Sequence, residues 1–185
     1  GYVRQMDSIV TINRDLTEEN IQIKEEIKIE RRKNQELAEQ TETLSVKVEE
    51  ASVLTVYNLK ATPIHQKGAG KELATDKIRR TDLIKVCLTL GENSIIKPGE
   101  KTIYVRIAQP DSKILVKGRG DSYSFKINDE VLQYSIMKEV NYENKSLDLC
   151  IKWQKRNSQE LPPGLYHVDI FESGNNIGHT TFSLK

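Results

Sequence analysis

Apolar side chains in the first fifty residues recur with alternating steps of four and three, the heptad spacing of a coiled-coil helix. No proline precedes Pro63, and the only glycine in this stretch is Gly1, so nothing interrupts a helix. The pattern predicts one helix over residues 1–53 that self-associates along a seam of a and d positions. The seam residues on which this prediction depends are Asn13, Leu16, Asn20, Ile23, Ile27, Asn34, Leu37, Leu44 and Val48.

Three of these residues, Asn13, Asn20 and Asn34, fall at position a. An asparagine at a pairs with its twin in a parallel two-stranded coiled coil, where it fixes the register at a cost in stability. An antiparallel or intrachain partner would not bring identical residues face to face. We therefore expect a parallel homodimer, with a trimer as the less favoured assembly. The alternatives are a single solvated helix or half of an intrachain hairpin.

Charges beside the seam agree with the parallel register. Glu19 at position g meets Lys24 at position e of the partner helix, and Glu26 meets Arg31 in the same way. Each exposed pair contributes only about 0–1 kcal/mol, so the signs support the register more than the stability.

From about residue 53 the apolar period changes to two, which is typical of half-buried strands. Strand-like runs are predicted at 53–61, 83–90, 102–108, 113–117, 122–127, 131–142, 146–154, 165–172 and 179–184. Turn signals separate them at 97–100, 109–111, 128–129, 162–164 and 174–176. Residues 54–185 are therefore predicted to form an antiparallel, immunoglobulin-like β-sandwich. The alternation predicts a core of Ile84, Val86, Leu88, Leu90, Ile103, Val105, Ile107, Leu147, Leu149, Ile151, Trp153, Tyr166, Val168, Ile170, Phe182 and Leu184.

Charge divides the chain into two unlike parts. Residues 1–53 contain eight basic and twelve acidic residues. Residues 54–185 contain twenty basic and fifteen acidic residues, which brings the totals to 28 basic and 27 acidic. The basic excess after residue 53 is too modest to indicate nucleic-acid binding by itself. No apolar run approaches the length of a membrane span.

The longest predicted connection, residues 62–82, is the candidate binding segment. It carries Lys67, Lys71, Lys77, Arg79 and Arg80, and long loops are often functional. We expect a partner-binding loop for an acidic partner here. The alternative is a solvated edge whose arginines pair with local carboxylates such as Asp76 and Asp82.

Cys87 and Cys150 are the only cysteines, and both fall on the polar phase of their runs. An antibody-type disulfide would need both on the core phase, with a tryptophan between them, whereas Trp153 follows them. We expect free thiols, with a cross-strand disulfide on one face as the alternative.

The other polar and aromatic residues do not indicate a catalytic, sugar-binding or metal site. His167, Asp169 and His179 are expected to lie close together on the outer face of the last hairpin, as surface polar residues and not as a metal site. The aromatic residues after residue 100 are read as core and cross-strand packing in preference to a sugar-stacking platform. No catalytic motif is present, so we expect neither an enzyme nor a small-molecule substrate, and neither a cofactor nor a metal.

Several segments carry a family resemblance: 67–71, 75–82, 84–89, 99–105, 142–150, Gly164-Leu165-Tyr166 and Phe182-Ser183-Leu184. They resemble functionally uncharacterised coiled-coil envelope proteins of Bacteroidota with a β-rich C-terminal domain, some of them labelled as chromosome partitioning proteins. The resemblance implies a membrane anchor upstream of Gly1 and a periplasmic location in the cell envelope.

Together these patterns favour a structural or interaction protein, a coiled-coil dimer that presents β-domains to an unknown protein or envelope component. A carbohydrate-binding module and a nucleic-acid-associated protein are the alternatives.

Overall fold

The structure, a computed structural model, describes residues 2–118, 121–127, 130–156 and 159–185. It divides into two compact units, Gly1–Glu50 and Ala51–Lys185. The first unit is helical and the second contains all of the strands described below. The turn predicted at 128–129 lies outside the described residues.

One helix, α1 (Tyr2–Ala51), accounts for the first unit. Its fifty residues correspond to about 75 Å at 1.5 Å per residue. Threonine hydroxyls along it donate to the carbonyl oxygen four residues earlier, for example Thr17 to Asn13 and Thr43 to Glu39. The predicted long helix is therefore confirmed.

The described part of the second unit contains ten strands. Their bounds are β1 (Val56–Lys67), β2 (Lys71–Ala74), β3 (Leu83–Leu90), β4 (Gly99–Ala108), β5 (Ser124–Ile127), β6 (Glu130–Gln133), β7 (Ile136–Tyr142), β8 (Leu147–Gln154), β9 (Gly164–Glu172) and β10 (Asn175–Leu184). The predicted all-β character is confirmed.

Two four-stranded antiparallel sheets form the frame of this unit. The first has the order β2-β1-β3-β8 and the second β10-β9-β4-β7, while β5 and β6 pair as a separate hairpin. The turn between β9 and β10 uses Ser173 and Gly174, both with positive φ, as expected of a two-residue hairpin loop.

Alternate residues of both sheets meet in one hydrophobic cluster. The predicted core residues belong to it, from Ile84 and Trp153 of the first sheet to Ile103 and Tyr166 of the second, with Leu147 partly buried beside them. Each fully buried aliphatic side chain of this kind contributes about 1.5–3 kcal/mol to stability.

A second, smaller cluster holds the β5–β6 hairpin. Phe125 of β5 stacks on Tyr104 of β4, with ring centroids 4.4 Å apart, and lies 5.4 Å from Phe171 of β9. Tyr104 and Phe171 are cross-strand partners whose neighbours in sequence, Val105 and Ile170, face the main core. The hairpin therefore packs on the opposite face of the second sheet.

The observed strands differ from the predicted ones in three places. The run 113–117 forms a single bridge, Ile114 to Ala108, and not a strand. The run 131–142 is two strands, because buried Ser135 interrupts it and bonds to β4 through its own N–H, which donates to Val105. Strand β2 was not predicted; it forms by pairing with the extended end of β1.

The expectation of free thiols is wrong. Cys87 of β3 and Cys150 of β8 lie directly opposite each other and form a disulfide. Both point to the polar face of the first sheet, as their phase predicts, and the bond links neighbouring strands of one sheet. It is the cross-strand alternative and not an antibody-type bridge between sheets.

Candidate interaction sites

The helix seam is exposed. Ile27 is 44% exposed, Ile23 46% and Leu16 49%, and Leu37 and Leu44 are more exposed still. Large apolar side chains at regular helical spacing contribute little to stability while they remain exposed to water. This stripe is a regular, exposed apolar surface of the first unit.

Polar seam residues bond to their own helix. The Asn20 side chain donates to the carbonyl oxygen of Leu16 at 2.9 Å, and the hydroxyl of Thr41, also at position a, donates to that of Leu37 at 2.7 Å. Turning the Asn20 amide toward a second copy would exchange this bond for one across the seam.

The apolar stripe is broader near the start of the helix. Val10 at position e and Ile12 at position g flank the seam there, and both are more than half exposed. Met6 at position a and Ile9 at position d lie between them on the helix surface and are also exposed. Apolar e and g positions widen the surface available to a partner helix.

The segment 62–82 is not the long loop predicted from the sequence. Its first part completes β1, turns at a 3-10 turn (Gly68–Gly70) and returns as β2, so that Lys67 and Lys71 are cross-strand partners. A second 3-10 turn, Ile78–Arg80, contains Arg79 and Arg80. The predicted cations are therefore divided between a hairpin tip and a turn.

Glu72 of β2 joins this hairpin to the rest of the first sheet. Its carboxylate accepts hydrogen bonds from Lys152 at 2.5 Å and from Lys85 at 3.0 Å. The bond from Lys152, then that from Lys85, lowers the pKa of Glu72 below its ordinary value. The Glu72 carboxylate thus pairs with lysines of β3 and β8.

A polar cleft of about 600 Å³ lies at the end of the first sheet. We call it the basic cleft. It is lined by Gln66, Arg79, Thr81, Asp82, Gln154, Lys155 and Arg156.

Strand register builds the basic cleft. Leu83 at the start of β3 pairs with Gln154 at the end of β8, which brings residues 79–82 beside residues 154–156. The backbone N–H of Lys155 then donates to the carbonyl oxygen of Asp82 at 2.9 Å. Arg79 and Arg156 are exposed, while Lys155 is half-buried.

Asp82 is the acidic group of the basic cleft. Its Oδ2 lies 2.7 Å from His65 Nδ1 and accepts the backbone N–H of Gln66 at 2.7 Å. Partial burial would raise the pKa of Asp82, but the bonds from Gln66 and His65 outweigh it and lower that pKa. Asp82 is therefore ionised at neutral pH, and it lines the same cleft as Arg79, Lys155 and Arg156.

Of the five cations predicted to bind a partner, Arg79 lines the basic cleft. The sequence did not indicate Lys155 and Arg156, because they follow β8 more than seventy residues away. Only the pairing of β3 with β8 brings them to Arg79. A basic pair directly after a strand, Lys155-Arg156, was the available signal.

The predicted proximity of the histidines is confirmed. His179 Nδ1 lies 2.8 Å from Asp169 Oδ1, and the rings of His167 and His179 are 5.6 Å apart. Within the described ranges, no group of three or more His, Cys, Asp or Glu side chains has the geometry to hold a metal ion.

Several aromatic side chains that could stack on sugars are buried or covered by another ring. Trp153 is 1% exposed and Tyr134 9%, and the Tyr104 ring is covered by Phe125. These rings do not form the exposed row that the carbohydrate alternative requires. In the described part of the chain, no helix is both long and apolar enough to cross a membrane.

Comparison with known proteins gives a family. A family described as a domain of unknown function (DUF8428) matches residues 57–185. The chain belongs to this family. The DUF8428 region contains every residue of the basic cleft and the disulfide. No curated protein matches the chain, and its likeness to Bacteroidota envelope proteins stays a prediction.

Among solved structures, the chain is similar to Pseudomonas fluorescens alkylpurine DNA glycosylase AlkC bound to DNA containing an abasic site analog. The identity is 14% and the TM-score 0.37, over 71% of this chain and 30% of that chain. The chain thus spans less than a third of that protein's length. A likeness this low carries no argument about this chain.

Proposed function

We propose that the chain is a non-enzymatic interaction protein in which α1 forms a parallel homodimer and residues 54–185 bind a protein or envelope component. The observation that carries this proposal is the exposed heptad seam of α1. Leu16, Ile23 and Ile27 are each nearly half exposed at the spacing of a two-stranded coiled coil.

A second copy is the occupant that the seam fits best. Asn13, Asn20 and Asn34 recur at position a, where identical residues meet across a parallel interface. In that arrangement Glu19 meets Lys24 of the second copy, so that the flanking charges are complementary. Two linked copies of the second unit would raise the avidity of weak binding.

We propose further that the second unit is an immunoglobulin-like sandwich. Strands β1, β3 and β8 follow the order of strands A, B and E of that fold, and β10, β9, β4 and β7 follow G, F, C and C′. Tyr166, near the start of the strand equivalent to F, donates to the carbonyl oxygen of Pro162, as a tyrosine corner does.

The disulfide supports an envelope location on the periplasmic side. Disulfides persist in oxidising compartments and are rare in the reducing cytosol. The bond between Cys87 and Cys150 lies on the outer face of a sheet, and Cys150 is exposed, so cytosolic reductants would reach it.

Engineered cysteines test the parallel dimer. Leu37→Cys places a thiol at position d, where it meets its twin only if the helices are parallel and in register. Glu39→Cys, at outward position f, is the matched control. Under mild oxidation we expect the first variant to form covalent dimers on non-reducing gels and the second to remain uncrosslinked.

Mass in solution completes the test. Sedimentation equilibrium of residues 1–185 should give twice the chain mass of 21.2 kDa at high micromolar concentration. A monomer at that concentration, or equal crosslinking of both variants, would refute the parallel dimer.

A further inference from the structure

The lining of the basic cleft combines three cations with one ionised carboxylate. Arg79, Lys155 and Arg156 line it together with Asp82, so the cleft has a net positive charge. The two arginines are exposed, and each guanidinium offers a planar pair of donors that matches a carboxylate. The cleft is therefore built to receive an anion.

The other polar residues that line the basic cleft indicate which class of anion it binds. Gln66 and Gln154 add amide groups that both donate and accept hydrogen bonds, and Asp82 adds an acceptor. A free phosphate or a nucleic-acid backbone brings mainly acceptors, which Asp82 repels. An acidic peptide brings carboxylates for the cations and also N–H donors for Asp82 and the glutamine oxygens.

The position of the basic cleft is fixed by backbone bonds on both sides. Asp82 N–H donates to Ile64 of β1 at 2.9 Å, and Lys155 N–H donates to Asp82 at 2.9 Å. Preorganised groups bind with a smaller loss of conformational freedom than groups that must be ordered on binding.

We infer that the basic cleft is a docking site for an acidic peptide segment of a partner protein, held through its side-chain carboxylates by Arg79, Lys155 and Arg156. This inference rests on the proposed function, whose partner class it names.

Binding of a fluorescein-labelled hexaglutamate peptide, measured by fluorescence polarisation, tests the inference. The test variant combines Arg79→Gln, Lys155→Gln and Arg156→Gln. The control variant combines Lys97→Gln, Lys138→Gln and Lys145→Gln, which removes the same charge from exposed positions elsewhere on the second unit. We expect at least a tenfold loss of affinity in the test variant and less than a twofold loss in the control.

A hexaglutamine peptide should not bind, because it lacks the carboxylates. Equal losses in both triple variants, or equal binding of hexaglutamine, would overturn the inference. The inference would also be overturned if tripolyphosphate or a single-stranded oligothymidylate bound more tightly than hexaglutamate and the test variant abolished that binding. The cleft would then be a site for phosphates. Circular dichroism checks that both variants fold, and the single change Arg156→Gln, at an exposed position, serves if the triple variant does not.

The helix variant Ile27→Asp separates this result from the proposed dimer. It should abolish association while leaving the affinity of each cleft for hexaglutamate unchanged. Loss of peptide binding in a folded, monomeric Ile27→Asp variant would contradict a site built from the second unit alone.

Discussion

Tyr166 Oη donates a hydrogen bond to the carbonyl oxygen of Pro162, 2.7 Å away and four residues earlier in the chain. The Tyr166 ring is fully buried and stacks on Phe182 of β10, with centroids 4.9 Å apart. One side chain thus joins the connection before β9 to the core of the second sheet. This arrangement fixes the path by which the chain enters β9.

Replacing Tyr166 by Phe removes this bond and leaves the ring in place. The carbonyl of Pro162 loses its donor, so we expect the free energy of unfolding to fall by roughly 1–3 kcal/mol. Urea denaturation followed by tryptophan fluorescence measures the change. Tyr57→Phe is the control, because the Tyr57 side chain is 56% exposed, and it should change stability by less than about 0.5 kcal/mol.

Tyr166 also predicts a dependence on pH. Burial, and secondarily the charge of Asp111, raises the pKa of Tyr166 from 10.0 to about 12. Tyr166 ionises near pH 10 in the unfolded chain but stays neutral in the folded one. Its contribution to the free energy of unfolding is therefore complete below pH 10 and declines between pH 10 and about 12. The stability difference between wild type and Tyr166→Phe should therefore shrink over that interval. A constant difference would contradict the raised pKa.

The disulfide should contribute measurably to stability. Cys87 and Cys150 are 63 residues apart, and closing a loop of this length corresponds to about 4 kcal/mol in the chain-entropy model. We expect the double variant Cys87→Ser, Cys150→Ser to lose about 2–4 kcal/mol of unfolding free energy. Dithiothreitol should destabilise wild type by a similar amount and leave the double variant unchanged. Two titratable thiols in the oxidised native protein would show that the bond does not form.

Phe125 should control the β5–β6 hairpin without controlling the main core. Its ring contacts Tyr104 and Phe171 in the smaller cluster, apart from the main core. Phe125→Ala should speed amide hydrogen exchange in β5 and β6 by about tenfold or more, while β3 stays protected. Val131→Ala, at a residue 57% exposed on β6, should leave exchange nearly unchanged. Faster exchange in β3 would mean that the hairpin and the core open together.

Local patterns predicted the regular elements well. Strand β3 was predicted with its observed bounds because strict alternation from Leu83 to Leu90 reflects one buried and one polar face. Strand β2 escaped prediction because Lys-Glu-Leu-Ala has no strand signature of its own. It is extended because β1 offers it a partner.

Features that depend on register were missed. The disulfide requires Cys87 opposite Cys150, and the basic cleft requires Leu83 opposite Gln154, which are two consequences of the same β3–β8 pairing. The sequence placed both cysteines on the polar face correctly. It did not show that β3 and β8 are neighbours, which only the packing of the whole sheet determines.

Asn20 tests the seam itself. Its side chain bonds to Leu16 within one helix, whereas in a parallel dimer it would pair with Asn20 of the second copy, specifying two strands at a cost in stability. Asn20→Leu should therefore raise the melting temperature of the helix and broaden the distribution of oligomers seen by sedimentation velocity. Gln22→Leu, an amide-to-leucine change at position c outside the seam, should alter neither. If Asn20→Leu leaves both the melting temperature and the oligomer distribution unchanged, then Asn20 does not lie in the interface and the proposed register is wrong.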